Sequence, residues 1–170
     1  MVSGSAGRPV IFLDVDGPLI TFVARPSSPR PPADGAAADQ ARWRDNPLLD
    51  RLNPDDGPRL LALGCDLVWA TTWMADANEV ISPRLGLPEL PVVDWPDSGQ
   101  EPPPGVHWKT TPLAWWAAGR TFIWLDDEIT DADRRWVAAH YAGRALLYRV
   151  DPDVGLTELD FSLIRRWLAE

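Results

Sequence analysis

The sequence predicts an α/β protein, a three-layer sandwich with helices on both faces of a central parallel sheet of five strands. Three observations carry that prediction. Short runs rich in β-formers, at 10–13, 67–70, 91–93, 121–125 and 145–150, show little polar alternation, as strands buried on both faces do. Helical patterns separate them, which implies parallel pairing through right-handed crossovers. Three of the runs also end in polar side chains: Asp14 and Asp16, Thr71 and Thr72, Asp126 and Asp127. In such sheets ligands gather beyond the carboxyl ends of the strands, so these groups are expected to converge.

The first strand runs into Asp14-Val15-Asp16-Gly17, where a residue without a Cβ lets the chain turn sharply. Between 20 and 46, Pro26, Pro29, Pro31 and Pro32 stand beside Ser27, Ser28, Asp34 and Gly35, which excludes regular structure there. That stretch reads either as a surface loop or as a flap over the site. A helical pattern starts at Ala37, with Trp43, Leu48, Leu49 and Leu52 as core contacts and Pro47 starting or kinking a helix. A short helix at 58–63 closes on Gly64, and a longer one at 74–85 stops at Pro83 or Gly86. A Pro/Gly loop fills 94–106. Thr111 as N-cap with Pro112 behind it opens a helix that reaches Gly119. A helix at 131–142 ends near Gly143, and an amphipathic one at 158–169 turns Leu159, Leu163, Ile164, Trp167 and Leu168 inward. With no repeat and no linker, residues 1–170 read as a single domain with a Pro-rich flap at 20–46.

A chain of 170 residues buries a core without staples. Its formal net charge of −9 argues against a broad nucleic-acid-binding surface, which needs basic residues to neutralise phosphates. A small anionic substrate is still compatible, because a metal ion inverts the local field. Cys65 is the single cysteine, so no intrachain disulfide forms and a reducing, cytoplasmic location is expected. The first eight residues lack the apolar centre of a signal peptide, and no run is long enough to cross a bilayer. No membrane partner is therefore expected.

The strand ends specify a chemistry. Asp14 and Asp16 repel each other unless a proton or a cation intervenes, and Mg²⁺ is the oxygen-loving cation that fits. Acids, a hydroxyl, the ammonium of Lys109 and a helix N-terminus together suit a phosphoryl group with its metal. On that reading Asp14 attacks phosphorus and forms an aspartyl-phosphate. Asp16 protonates the leaving oxygen and later deprotonates water. Thr71 donates to a phosphoryl oxygen, while Lys109 neutralises charge on that group and on Asp14. Asp14, Asp126, Asp127 and the main-chain carbonyl of Asp16 complete the metal shell. Gly17, Thr72 and Trp73 border the substrate.

The order of these motifs resembles the haloacid dehalogenase (HAD) superfamily, through Asp14-Val-Asp16-Gly17, Thr71, Lys109 and Asp126-Asp127. The resemblance spans nearly the whole chain. It implies a Rossmann-like fold and a Mg²⁺-dependent phosphatase acting on a phosphorylated substrate. The wording Trp69-Ala-Thr-Thr-Trp73 and Trp124-Leu-Asp-Asp-Glu128 is similar to a compact bacterial branch, the HAD domain associated with RNA repair. Pro18 departs from the Thr of many members. Asp16, which the dehalogenases of the superfamily lack, favours phosphate esters. Members commonly carry a cap after the first or third strand, but 94–108 is too short for one and the earlier slot holds the Pro-rich stretch. An essentially capless enzyme with an open site is expected, suited to bulky substrates such as nucleic-acid ends, phosphoproteins or large metabolites.

Competing readings exist for each piece. A calcium loop would place Pro18 and Arg25 at ligand positions, which neither can fill. A signalling receiver domain needs its acidic pair after the first strand and its lysine after the last, the reverse of the order here. The alternative of another class is a non-catalytic HAD-fold binding or interaction module. His107 is expected at the rim of the site, and His140 in a structural role. Trp73, Trp95 and Trp108 are candidates for stacking on a ring, whereas Trp69, Trp115, Trp116 and Trp124 are assigned to the core. Arg134-Arg135 and Arg165-Arg166 read as solvated helix faces.

Overall fold

A computed structural model describes residues 7–25, 46–96 and 101–170. The flap and the helical pattern at 37–43 fall largely outside the described residues. Four strands, β1 (Val10–Leu13), β2 (Asp66–Trp69), β3 (Phe122–Asp126) and β4 (Ala145–Arg149), form one parallel sheet in the order β2-β1-β3-β4. The register pairs Leu13 with both Trp69 and Leu125, and Asp126 with Arg149. The three strand ends that carry acids and hydroxyls therefore stand side by side.

Among the described residues the sheet has four strands, not the expected five. Residues 91–93 run beside β2, but Val92 makes only an isolated bridge to Trp69. Two backbone bonds hold it, from Trp69 N to Pro91 O and from Val93 N to Trp69 O, each 2.8 Å. Pro91 has no N–H to extend the ladder, so the segment caps an edge without becoming a strand.

Helices α1 (Asp56–Ala62), α2 (Ser82–Leu85) and α5 (Glu158–Ala169) cover one face, and α3 (Thr110–Ala117) and α4 (Asp131–His140) the other. The alternation of β1 feeds both layers: Ile11 and Leu13 pack with Leu60, Leu85 and Ile164, whereas Val10 and Phe12 pack with Leu113, Trp124 and Val137. Thr130 and Thr157 open α4 and α5 through capping boxes closed by Asp133 and Asp160. The expected helix at 74–85 is a π-turn over Ala77–Ile81 that runs on into α2 and ends at Gly86 in the left-handed region (φ 65°), with Pro83 inside its last segment. Among the described residues no helix is long and apolar enough to cross a membrane.

Several side chains differ from expectation. Helix α3 starts at Thr110, and Thr111 is not its N-cap; its hydroxyl is buried and has no partner among the described residues. Trp69 and Trp124 are core residues as expected, but Trp115 is 62% and Trp116 36% exposed. In α5 the inward stripe centres on Phe161 and Ile164, leaving Leu159 67% exposed and Leu163 also on the surface. Leu48 is exposed, while Leu49 and Leu52 are buried.

Asp56, in the first turn of α1, has no exposed surface. Among the described residues it accepts one hydrogen bond, from Asn53 Nδ2 at 3.2 Å, and its second oxygen has no partner. Burial pushes its carboxyl from 3.8 up to about 7, against the pull of Arg25 and Arg59. A carboxyl raised in the folded state contributes stability below its unfolded value that is lost as pH rises toward 7. Asp56→Asn is therefore expected to be nearly neutral at pH 4. At pH 8 it should stabilise by up to about 4 kcal/mol, at roughly 1.4 kcal/mol per tenfold change in ionisation. Urea unfolding at the two pH values reads the difference.

Candidate active site

The site is built where β1, β2 and β3 stop. Asp14 follows β1 directly and remains tied into the sheet, its N–H donating to Leu125 O at 3.1 Å. Its Oδ1 accepts from Val15 N at 2.9 Å, and its Oδ2 lies 3.2 Å from Lys109 Nζ. Asp126, the last residue of β3, is fully buried. Its Oδ2 receives Lys109 Nζ at 2.8 Å and Trp124 Nε1 at 3.2 Å, and its Oδ1 receives Glu128 N at 2.9 Å. One ammonium thus bridges the acids of two adjacent strands.

Lys109 stands just before α3, on a turn that is fastened at several points. Its N–H donates to His107 Nδ1 at 3.2 Å. Asp133 Oδ1 accepts both His107 N and Thr110 Oγ1 at 2.7 Å, and its Oδ2 accepts Thr130 N and Oγ1, each at 2.8 Å. One buried carboxylate therefore joins the lysine turn to the loop that follows Asp126 and Asp127. Although burial works to raise Asp133, the bonds from Thr110, His107 and Thr130 win and hold it below the ordinary carboxylate range.

Charge is unbalanced at the centre. Burial and the neighbouring Asp126 push Asp14 up to about 7, opposed by Lys109. Burial works to depress Lys109, yet Asp14 and Asp126 together hold it above its usual value. Burial and Asp126 also raise Asp127. The three carboxylates offer oxygens that all lie within 4.8 Å of one another. Hard oxygen donors this close, with one ammonium among them, fit a small divalent cation. Asp16 adds no side-chain oxygen to that group.

Gly17 sits in the left-handed region at φ 92°, and a Cβ there would lie 2.7 Å from Asp127 Cγ. The chain turns on this residue and leaves room for the third acid. Gly17→Ala is expected to lower stability by about 1–3 kcal/mol, the usual cost of such backbone strain. Urea unfolding of the variant beside the wild type checks it.

The remaining predicted residues are held by contacts of their own. Thr71 is buried; its Oγ1 accepts Trp73 N at 3.2 Å, and its carbonyl accepts Trp95 Nε1 at 3.2 Å. Thr72 is exposed. Trp73 turns its indole N–H onto Asp16 Oδ2 at 3.0 Å. Trp95 and Trp108 meet edge to face with ring centroids 4.8 Å apart, and Lys109 Nζ lies 5.7 Å from the Trp108 ring. His107 is more enclosed than a rim residue, fixed between Lys109 N and Glu128 Oε2 at 3.1 Å. His140 is on the surface, stacked on Trp136 with centroids 4.6 Å apart.

Sequence reasoning gives Asp133 no role and places Trp124 in the core alone. Trp124 was legible in principle, because residues two apart on a strand share a face with Asp126. Thr130 and Asp133 carry the spacing of a capping box, but nothing local announces that the same acid also holds His107 and Thr110.

A parallel sheet with helices on both faces, and an acid cluster around a lysine at its carboxyl edge, defines an α/β domain of the HAD type. The chain matches, over residues 10–161, the family described as the HAD domain in Swiss Army Knife RNA repair proteins, and it belongs to that family. No curated protein and no solved structure matches it.

Proposed function

We propose that the chain is a Mg²⁺-dependent phosphohydrolase acting on phosphomonoesters through an aspartyl-phosphate on Asp14. The observation that carries this is the bridge from Lys109 Nζ to the buried Asp14 and Asp126, with the half-buried Asp127 completing a group of three acids. Asp14, Asp126 and Asp127, with the main-chain carbonyl of Asp16, would hold the ion. When bound it supplies positive charge that keeps these carboxylates ionised and offsets charge on the phosphoryl oxygens.

The residues then divide the work. An Asp14 oxygen attacks phosphorus while the bond to the leaving oxygen breaks, and Asp16 gives that oxygen its proton. Water next attacks phosphorus and Asp16 takes its proton, releasing phosphate and restoring the Asp14 carboxylate. Lys109 fixes Asp14 against Asp126 and offsets developing charge, and the Thr71 hydroxyl is free to donate to a phosphoryl oxygen. The Trp95–Trp108 pair beside Lys109 favours an ester with a flat ring near its phosphate, so a nucleotide or nucleic-acid end is the preferred substrate. The RNA repair proteins named in the family description point the same way. A net charge of −9 confines such contacts to the end of a strand. The single cysteine, half-buried and free, suits a reducing cytoplasmic setting.

The test is phosphate release from p-nitrophenyl phosphate and from end-phosphorylated oligonucleotides, with Mg²⁺ or EDTA, and with Asp14→Asn and Asp16→Asn as controls. Hydrolysis that needs Mg²⁺ and both acids supports the proposal. If both variants remain active, the mechanism is wrong. A wild type inert over a broad panel of phosphate esters would instead indicate a binding module.

A further inference from the structure

We propose that Trp73 is the positioning residue for the general acid–base Asp16, an inference that rests on the mechanism above. Asp16 stands apart from the lysine bridge, on the turn after β1, where its backbone bridges Ile20. Among the described residues, the donor to its side chain is the indole N–H of Trp73, at 3.0 Å from Oδ2. An indole N–H donates and never accepts. Its bond therefore occupies Oδ2 as an acceptor and leaves Oδ1 as the oxygen that gives and takes the proton.

The end of β2 is shaped to deliver this ring. Trp73 N donates to Thr71 Oγ1, and the ring packs against the core layer that contains Trp69 and Ile81. Directly after it, Met74 adopts φ 51°, a left-handed conformation that an unbranched residue without a turn-forming side chain seldom takes. Met74 N reaches Thr71 O at 3.4 Å, closing the turn. Strain of this kind persists where surrounding contacts over-determine it, and here the turn sends the indole across to the neighbouring strand end. A tryptophan expected to stack on substrate instead holds a carboxylate.

Trp73→Phe keeps a ring and removes the N–H. General acid assistance matters most when the leaving oxygen is a poor one, so the variant is compared on an alkyl phosphate and on p-nitrophenyl phosphate. The expected result is a kcat/KM for the alkyl ester that falls about tenfold more than for the aryl ester, part of the ~10²–10⁴-fold that a general acid supplies. Asp16→Asn should show the same selectivity more strongly, and the Mg²⁺ half-saturation of Trp73→Phe should not move. Equal losses on both esters would mean a packing role only, and no loss would mean none; either overturns the proposal. Should Asp16→Asn itself show no leaving-group selectivity, or the wild type hydrolyse neither ester, the parent mechanism fails and this inference with it. Selectivity that depends on Asp16 but survives Trp73→Phe removes Trp73 alone.

Discussion

Asp14→Asn is expected to abolish the proposed hydrolysis, by about 10⁴-fold or more as the loss of a nucleophile does, while the metal-free protein becomes no less stable. The two effects have one cause. Asp14 is 7% exposed and is pushed up to about 7 by burial and by Asp126. Its contribution to stability is fully present below the unfolded value and is lost as pH rises through 7. An uncharged isostere removes that loss and leaves Lys109 paired with Asp126 at 2.8 Å. In EDTA at pH 8 the variant should match or exceed the wild type, by about 1–2 kcal/mol, and at pH 4 the two should coincide. Urea unfolding at both pH values, beside the phosphatase assay, checks it. A variant that unfolds more readily at pH 8 would show that Asp14 is held for stability.

Lys109→Met has the opposite signature. It leaves Asp14 and Asp126 facing each other without a cation, and breaking a buried pair from one side typically costs about 3–5 kcal/mol. The loss should be greatest in EDTA at pH 8 and smaller at pH 5, where Asp14, with a carboxyl near 7, takes up a proton. Mg²⁺ should restore part of it, because ligand at a hundred times its Kd stabilises by about 2.7 kcal/mol. Activity should fall as well, since the bridge that fixes Asp14 is gone. Thermal and urea unfolding with and without Mg²⁺ decide the matter, and stability equal to wild type in EDTA would refute the bridge as drawn.

Much of this framework was legible because hydrophobic patterning reports burial directly. Val10–Leu13 and Phe122–Asp126 are apolar without interruption up to their acids, and they are the two central strands. The failed strand at 91–93 has the same local hydrophobicity; what it lacks is a donor at Pro91, which counting apolar residues cannot see. Trp115 and Trp116 were misplaced for a related reason. Helix α3 is apolar nearly all round, so its pattern does not say which side meets the sheet. At the site, the convergence of Asp14, Lys109, Asp126 and Asp127 followed from the topology of strand ends. The Trp73–Asp16 bond and the reach of Asp133 did not, because each depends on how two separate turns approach one another.

Asp133 has a consequence for motion. The turn that bears the lysine and the loop after Asp126 and Asp127 are joined through this side chain, at the first turn of α4. A brief unwinding of that turn would loosen the lysine turn and the loop after Asp127 together, while Asp14 and Asp126 stay fixed in the sheet.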